Sequence, residues 1–302
     1  MWTTRTDQCL WFQPAKLRQP PYHRDVTKRS AAFFDLDMTI LAVSSSLAFA
    51  RPFYRHGLIG PADVLRSAVA QFSFVTGDTT HLQMEQMKRY LSALVTGWDV
   101  ELVRSIVEET YDSIIEPVIF SEALDLIAEH KAAGRDVIII SSSGDDVVDI
   151  IGQRLGVDRS VGTKIDIVDG KYTGDITFYA YAQGKADAVH ALAAEFGYDL
   201  ASSHAYSDSH TDLPMLETVG NPMAVNADSR LREVALERDW PIRDFTKPAG
   251  VQSTRQRITE LTNDLNTPDN RRNALAVGGA VGSAAAAAGI AWLASRRRSD
   301  AV

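Results

Sequence analysis

The chain has 302 residues, of which 45% are hydrophobic and 23% charged, and its formal net charge is −8. This length allows one large α/β domain or two smaller ones, and the negative charge argues against a general nucleic-acid binder. The single cysteine, Cys9, excludes an intrachain disulfide and a cysteine-based metal site. The N-terminus has no long apolar stretch of the signal-peptide kind, so we expect the main folded part to be cytoplasmic.

The first third of the chain contains three segments of different composition. Residues 1–29 combine prolines with an excess of Lys and Arg, which predicts a disordered basic arm. The apolar run Ala31–Phe34 ends in acidic residues and predicts a buried strand with a site at its end. Residues 44–116 have no strong strand pattern and contain helical spacings broken at glycines, which predicts a helical cap.

From residue 117 onward, predicted strands and helices alternate. We expect helices over 119–133 and 184–196, strands over 136–140, 203–207 and 222–226, and a hairpin that turns at 169–170. This alternation predicts an α/β fold with a Rossmann-like, mostly parallel sheet. The predicted core therefore covers 30–43 and 117–248, and the cap over 44–116 is inserted into it.

The C-terminal part differs from the rest. Residues 249–273 are predicted to be a linker, and residues 274–295 carry no charge, with arginines on both sides. At about 1.5 Å per residue the uncharged segment is roughly 30 Å long, enough to cross a hydrocarbon layer. We therefore predict a membrane-spanning helix over 274–295, which would anchor the protein to the cell membrane. Because alanine and glycine are only weakly apolar, an exposed Ala-rich helix or flexible tail is the alternative.

Polar clusters follow the predicted strands, at ends that share one edge of an open parallel sheet. Asp35 and Asp37 come directly after the first strand, with Thr39 close behind. If the chain turns there, the second carboxylate reaches over the first, so that one attacks while the other handles a proton. The alternative is a pair of residues that only cap the strand–loop junction.

Two further clusters suit a phosphate group. Ser141 and Ser142 follow the second strand, where hydroxyls and backbone N–H groups at a helix start favour phosphate oxygens. Lys185 opens a predicted helix and, if buried, would neutralise both Asp35 and a phosphate. Ordinary capping serines and an exposed helix lysine are the alternatives.

The fourth cluster lies after the predicted strand 203–207. Asp208 and Asp212 are separated by three residues, and carboxylate oxygens are ligands for a hard cation. Ordinary turn and capping residues are the alternative. His210 lies inside this loop, and we expect it to face solvent.

The order Asp-x-Asp-x-Thr, Ser, Lys, Asp-x-x-x-Asp over residues 33–216 resembles the four-motif signature of the haloacid dehalogenase superfamily. The hairpin sequence at 169–174 and the segment 212–216 resemble its subfamily IB, which includes phosphoserine phosphatase. The chain closely resembles actinobacterial proteins of the phosphoserine phosphatase-like kind. This resemblance implies a Rossmann-like core with a helical cap and Mg²⁺-dependent hydrolysis of a small phosphate ester.

The resemblance also implies a role for each residue. Asp35 is the nucleophile that forms an aspartyl-phosphate, and Asp37 is the acid and then the base. The phosphate-binding residues are Thr39, Ser141, Ser142 and Lys185. Mg²⁺ is held by Asp35, by Asp37 through its backbone carbonyl and by Asp208, with Asp212 at the metal or just behind it.

One position departs from the family pattern. Phosphoserine phosphatases of this family carry a glutamate nine residues after the nucleophile, which holds the amino group of the substrate, and here the residue is Ser44. A small phosphate ester such as phosphoserine is therefore one expected substrate. A lipid or lipid-precursor phosphate is another, with Lys88 and Arg89 of the cap as anion contacts. An inactive, membrane-anchored regulatory protein is a third possibility.

Overall fold

A seven-stranded sheet forms the centre of the protein. The computed structural model describes residues 29–60 and 81–246. The strands run in the order β4-β3-β2-β1-β5-β6-β7, and every neighbouring pair is parallel except β3 and β4. The strands are β1 Ala31–Phe34, β2 Asp136–Gly144, β3 Arg159–Val168, β4 Lys171–Phe178, β5 His204–Ser207, β6 Asn221–Val225 and β7 Ile242–Arg243. The predicted mostly parallel α/β sheet is confirmed.

Helices cover both faces of this sheet. They are α1 Ser45–Arg55, α2 His81–Val95, α3 Val100–Ile114, α4 Ser121–Ala132, α5 Asp145–Leu155, α6 Gln183–Phe196, α7 Leu213–Leu216 and α8 Ser229–Glu237. Short 3₁₀ turns occupy Glu116–Val118, Leu200–Ser202 and His210–Asp212. The two predicted core helices, over 119–133 and 184–196, correspond to α4 and α6.

The central strand β1 is buried on both of its faces. Ala32 and Phe34 pack into one hydrophobic cluster with residues of α3, α4 and α5, whereas Ala31 and Phe33 pack into the other with residues of α6, α7 and α8. This alternation follows from the two-residue period of a strand. All four side chains are at most 1% exposed. Asp35, which follows Phe34 directly, is therefore held at a fixed point on the edge of the sheet.

The hairpin between β3 and β4 turns as the sequence predicts. Asp169 and Gly170 both have positive φ angles, 50° and 74°. Two consecutive residues of this kind form the tight turn that matches the twist of antiparallel strands. Strand β3 also belongs to the parallel sheet, because its residues 159–161 pair with β2, and β4 extends to Phe178, which lies opposite Lys164.

Within residues 44–116, the predicted cap, the structure describes the helices α1, α2 and α3. Residues 97–100, which lead into α3, join the hairpin through three backbone hydrogen bonds. The N–H of Gly97 donates to the carbonyl of Tyr172 at 2.8 Å, and the N–H of Tyr172 donates to the carbonyl of Trp98 at 3.0 Å. The N–H of Val100 donates to the carbonyl of Gly170 at 3.0 Å. Arg104 of α3 also pairs with Asp146 of α5 at 2.8 Å. The cap is therefore bonded both to the core and to the hairpin.

Three sequence predictions lie wholly or almost wholly outside the described residues. They are the basic arm over 1–29, of which only Arg29 is described, the linker over 249–273 and the membrane helix over 274–295. Among the helices that the structure describes, none has the length and apolar character needed to cross a membrane.

Candidate active site

Neighbouring strands bring the predicted site residues to one edge of the sheet. Phe34 of β1 pairs with Tyr206 of β5, and the backbone N–H of Asp35 donates to the carbonyl of Tyr206 at 2.9 Å. Asp35 therefore lies beside the chain that continues into Asp208. On the other side of β1, strand β2 brings Ser141 to the same edge.

Lys185 lies at the centre of this edge. Its ammonium group donates to Oδ1 of Asp35 and to Oδ2 of Asp212, both at 2.6 Å. Ser207 donates to the same Oδ2 at 2.7 Å. Lys185 is only 3% exposed, so it is a buried, paired cation and not a surface lysine of α6.

The electrostatics of the cluster follow from its burial. Burial raises the pKa of Asp35 to about 7, because the lowering effect of Lys185 only partly offsets desolvation and the charge of Asp212. Burial, together with the charges of Asp35 and Asp212, raises the pKa of Asp208 well above its ordinary value. Burial lowers the pKa of Lys185, but Asp212 and Asp35 outweigh it and leave that pKa raised. The cluster thus holds more carboxylate than one ammonium neutralises.

The excess of buried carboxylate raises the question of whether the cluster could hold a divalent cation. Within residues 29–60 and 81–246, no group of three or more His, Cys, Asp or Glu side chains is gathered in a form ready to hold a metal. Asp212 is bonded to Lys185 and Ser207, whereas Asp208 accepts a 3.5 Å bond from Thr39. Hard oxygen donors in a negatively charged, buried setting fit Mg²⁺. Asp35 and Asp208 are better placed than Asp212 to bind Mg²⁺, because Oδ2 of Asp212 is already bonded to Lys185 and Ser207.

Asp37 is folded back by a turn directly after β1. The backbone N–H groups of Ile40 and Leu41 both donate to the carbonyl of Leu36 at 2.9 Å, and Met38 has a φ of 60°. The turn that Asp37 needs in order to reach over Asp35 is therefore present. Thr39, 1% exposed, is buried beneath it.

The carboxylate of Asp37 is bonded to the first turn of α1. Its Oδ1 accepts from the backbone N–H of Ser45 at 2.9 Å, and its Oδ2 accepts from the hydroxyls of Ser45 at 3.2 Å and Ser44 at 3.4 Å. Burial raises the pKa of Asp37, and these bonds oppose the rise. Ser45 was not among the predicted site residues, since its only signal in the sequence is a serine run before an apolar helix.

The serines after the buried part of β2 lie beside this turn. Strand β2 continues to Gly144 instead of ending at Ile140, because its end pairs again with β3 at Thr163 after a register shift. Ser141 is 1% exposed, and its hydroxyl accepts from the backbone N–H of Ser143 at 3.3 Å. Ser142 accepts through its carbonyl from Thr163 at 2.8 Å.

The remaining candidate residues are His210, Lys88 and Arg89. His210 is bonded to Asp228 through both its backbone N–H and its Nδ1, each at 2.9 Å. Its side chain is only 17% exposed, so it faces solvent less than the sequence predicts. Lys88 and Arg89 lie on α2, which packs against β4 of the hairpin. Arg89 is exposed, and Lys88 is partly exposed.

Comparison with known proteins gives a family. The model of the haloacid dehalogenase-like hydrolases matches residues 32–217. A probable phosphatase of Mycobacterium tuberculosis is 46% identical over 288 residues, covering 94% of this chain and 96% of that protein. A phosphoserine phosphatase of the same organism is 36% identical over 284 residues, covering 93% and 84%. The inhibition of morphological differentiation protein of Streptomyces azureus is 51% identical over 273 residues, covering 90% and 95%.

Solved structures agree on the fold. A Bordetella pertussis protein of unknown function has a TM-score of 0.64 and 31% identity, covering 72% of this chain and 99% of its own. A phospho-aspartyl intermediate analogue of phosphoserine phosphatase has a TM-score of 0.54 at 20% identity, covering 77% and 99%, which shows the fold alone. The chain therefore belongs to the haloacid dehalogenase-like hydrolase family, and it is an enzyme with relatives that include named phosphatases.

Proposed function

We propose that this protein is a Mg²⁺-dependent phosphomonoester hydrolase that works through an aspartyl-phosphate on Asp35. The observation that carries the proposal is the buried bond between Lys185 and Asp35 at 2.6 Å, with Asp37 folded back beside it. A carboxylate nucleophile next to a second, proton-handling carboxylate splits ester hydrolysis into two easier steps. The names of the relatives, probable phosphatase and phosphoserine phosphatase, support the same reaction class.

In the first step a carboxylate oxygen of Asp35 attacks phosphorus. The bond between phosphorus and the ester oxygen breaks, and its electron pair stays on that oxygen, which takes a proton from the carboxyl group of Asp37. In the second step Asp37 takes a proton from water as the water oxygen attacks phosphorus. The bond to Asp35 breaks, and phosphate leaves.

Lys185 and the serines act on the phosphoryl group. Lys185 keeps the attacking carboxylate oriented and supplies positive charge beside the developing phosphoryl charge, in a buried place where such charge is effective. The Ser141 hydroxyl and the backbone N–H groups at the start of α5 are donors for phosphoryl oxygens. Thr39 and Ser142 are proposed to complete the pocket from either side.

Mg²⁺ would be held by Asp35, Asp208 and the backbone carbonyl of Asp37, and when bound it neutralises charge on the phosphoryl oxygens. The bonds of Asp212 to Lys185 and Ser207 favour a different role for Asp212. We propose that Asp212 positions Lys185, and that it is not a direct metal ligand.

The substrate is proposed to be a small phosphate ester without a required ammonium group. Ser44 stands where the family's phosphoserine phosphatases carry a glutamate, and its hydroxyl is directed to Asp37 at 3.4 Å. The lipid-phosphate alternative depends on residues 274–295, outside the described part of the chain. The inactive regulatory alternative is disfavoured because Asp35, Asp37 and Lys185 are present and placed for chemistry.

A substitution at the nucleophile tests the proposal. Purified protein is assayed with Mg²⁺ on a panel of phosphate esters, alongside Asp35→Asn and the matched control Asp125→Asn, which removes an exposed carboxylate of α4. We expect Asp35→Asn to lose at least about a thousandfold in kcat, because an amide cannot form the acyl-phosphate, and the control to retain wild-type activity. Activity of Asp35→Asn within about tenfold of wild type would falsify the mechanism.

A further inference from the structure

The carboxyl group of Asp37 is gripped at both oxygens by a single residue. The Ser45 backbone N–H reaches Oδ1 at 2.9 Å, and the Ser45 hydroxyl reaches Oδ2 at 3.2 Å. Two bonds from one residue fix both the position and the plane of the carboxyl group. Because Ser45 opens α1, its N–H also points along the positive end of that helix.

Ser45 has a third partner on the other side of the pocket. Its hydroxyl lies 2.7 Å from the hydroxyl of Ser143, whose backbone N–H donates to Ser141. A serine hydroxyl donates and accepts at once, so it can serve Asp37 both as a carboxylate and as a carboxylic acid. Ser45 is 1% exposed, which keeps water from competing for these bonds.

We propose that Ser45 is a positioning residue that orients the carboxyl group of Asp37 toward the ester oxygen of the substrate. This inference rests on the proposed function, in which that oxygen takes the proton of Asp37 while its bond to phosphorus breaks. The Ser45–Ser143 contact ties this orientation to the serine segment proposed to bind the phosphoryl group. The proton donor Asp37 and the phosphoryl site are thereby held in a fixed arrangement relative to each other.

The positioning role of Ser45 can be distinguished from a merely structural role by how the loss of activity depends on the leaving group. An alkoxide is a poor leaving group and needs the proton during bond cleavage, whereas p-nitrophenolate leaves readily without it. A misplaced Asp37 therefore slows alkyl esters far more than p-nitrophenyl phosphate. A general loss of folding or of phosphate binding slows both substrates alike.

The experiment measures kcat/KM for glycerol 2-phosphate and p-nitrophenyl phosphate, because kcat/KM reports the first chemical step. For Ser45→Ala we expect a loss of roughly 10- to 100-fold on the alkyl ester, which is part of the roughly 100- to 10,000-fold that general acid catalysis contributes. On the aryl ester we expect a loss of less than about threefold. Ser45→Thr, which keeps the hydroxyl, should restore most of the alkyl activity. Ser46→Ala, an exposed serine of the same helix turn, should match wild type on both.

A double-mutant cycle with Asp37→Asn tests whether the effect of Ser45→Ala on activity is transmitted through Asp37. If Ser45 acts through Asp37, then Ser45→Ala adds no further loss in the Asp37→Asn background. Equal losses on both esters, or additive losses in the cycle, overturn the inference. Should Ser45→Ala fold poorly, Ser45→Cys keeps the volume and weakens the hydrogen bond, and the same selective loss is required of it.

The outcome is separable from that of the proposed function. Wild-type turnover that disappears in Asp35→Asn supports the aspartyl-phosphate route whatever Ser45 does. A uniform effect of Ser45→Ala in such an enzyme overturns the positioning role alone. A wild-type protein that hydrolyses neither ester with Mg²⁺ overturns both.

Discussion

Lys185 and Asp212 form a buried ion pair, with the ammonium nitrogen 2.6 Å from Oδ2. The side chains are 4% and 2% exposed, so neither charge has water as an alternative partner. Asp35 shares the same ammonium at 2.6 Å. The three side chains form one unit, in which the removal of one charge is felt by the other two.

Lys185→Met should therefore harm both stability and turnover. We expect the free energy of unfolding to fall by about 3–5 kcal/mol, because two buried carboxylates lose their cation. Activity on any phosphate ester should disappear. Urea unfolding checks the first expectation, with the exposed Lys171→Met as control. A wild-type unfolding midpoint in Lys185→Met contradicts the buried pair.

Asp208 and Asp212 should respond differently to magnesium. EDTA should abolish activity, and Mg²⁺ should restore it better than Ca²⁺, whose coordination is larger and looser. In Asp208→Asn the Mg²⁺ concentration for half-maximal activity should rise by roughly tenfold or more, the size of effect expected when a metal contact is disturbed. In Asp212→Asn kcat should fall while that concentration stays near its wild-type value. A magnesium titration of activity decides, and an equal rise in both variants refutes the positioning role of Asp212.

Phosphoserine should not be a preferred substrate. A site that pairs a charged group of its substrate discriminates strongly, whereas one without that partner does not. We expect kcat/KM for phosphoserine to lie below that for at least one ester without an ammonium group. Ser44→Glu should shift the ratio toward phosphoserine, and Ser46→Glu, exposed on α1, should not. A strong wild-type preference for phosphoserine is the contrary result.

His130 should stay neutral well below its ordinary titration range. It is 2% exposed and bonded to Tyr206 and to Arg135, each at 2.6 Å. Burial, with the charges of His204 and Arg135, lowers its pKa from 6.5 to about 4. Because the unfolded chain takes up the proton first, this contribution to stability is complete above pH 6.5 and is lost as the pH falls toward 4.

Urea unfolding at pH 7 and pH 5 measures this effect. Wild type should lose about 2 kcal/mol more than His130→Asn between the two values. His190→Asn, at an exposed site of α6, should behave as wild type. NMR titration of the His130 ring provides a direct check, and a ring that protonates near pH 6.5 contradicts the expectation.

The sequence located the strand ends well, because apolar runs that stop at acidic or serine residues mark the edge of a parallel sheet. Asp35, Ser141 and Asp208 were placed from this pattern, and the structure brings them to one edge. Strand β7 was missed because its two residues, Ile242–Arg243, are too few to give a pattern. The extension of β2 was missed because its serines are polar, and only pairing with β3 makes them strand.

Side-chain partnerships were harder to predict than strand ends. The spacing of Asp208 and Asp212 indicates a possible cation site, but it does not say which of the two faces Lys185. Burial of Lys185 depends on contacts with residues 150 and 27 positions away. Ser45 lies eight positions from Asp37, at a distance that only the turn after β1 closes.

The three backbone hydrogen bonds between residues 97–100 and the hairpin, at 2.8, 3.0 and 3.0 Å, limit how the pocket opens. If they persist during turnover, this side of the cap travels with β3 and β4 and cannot swing away from them. Entry of an ester and release of phosphate then require an opening elsewhere around the rim, or a joint displacement of cap and hairpin relative to the sheet. The size of the substrate is thus limited by a pocket entrance whose hairpin side cannot open independently of the cap.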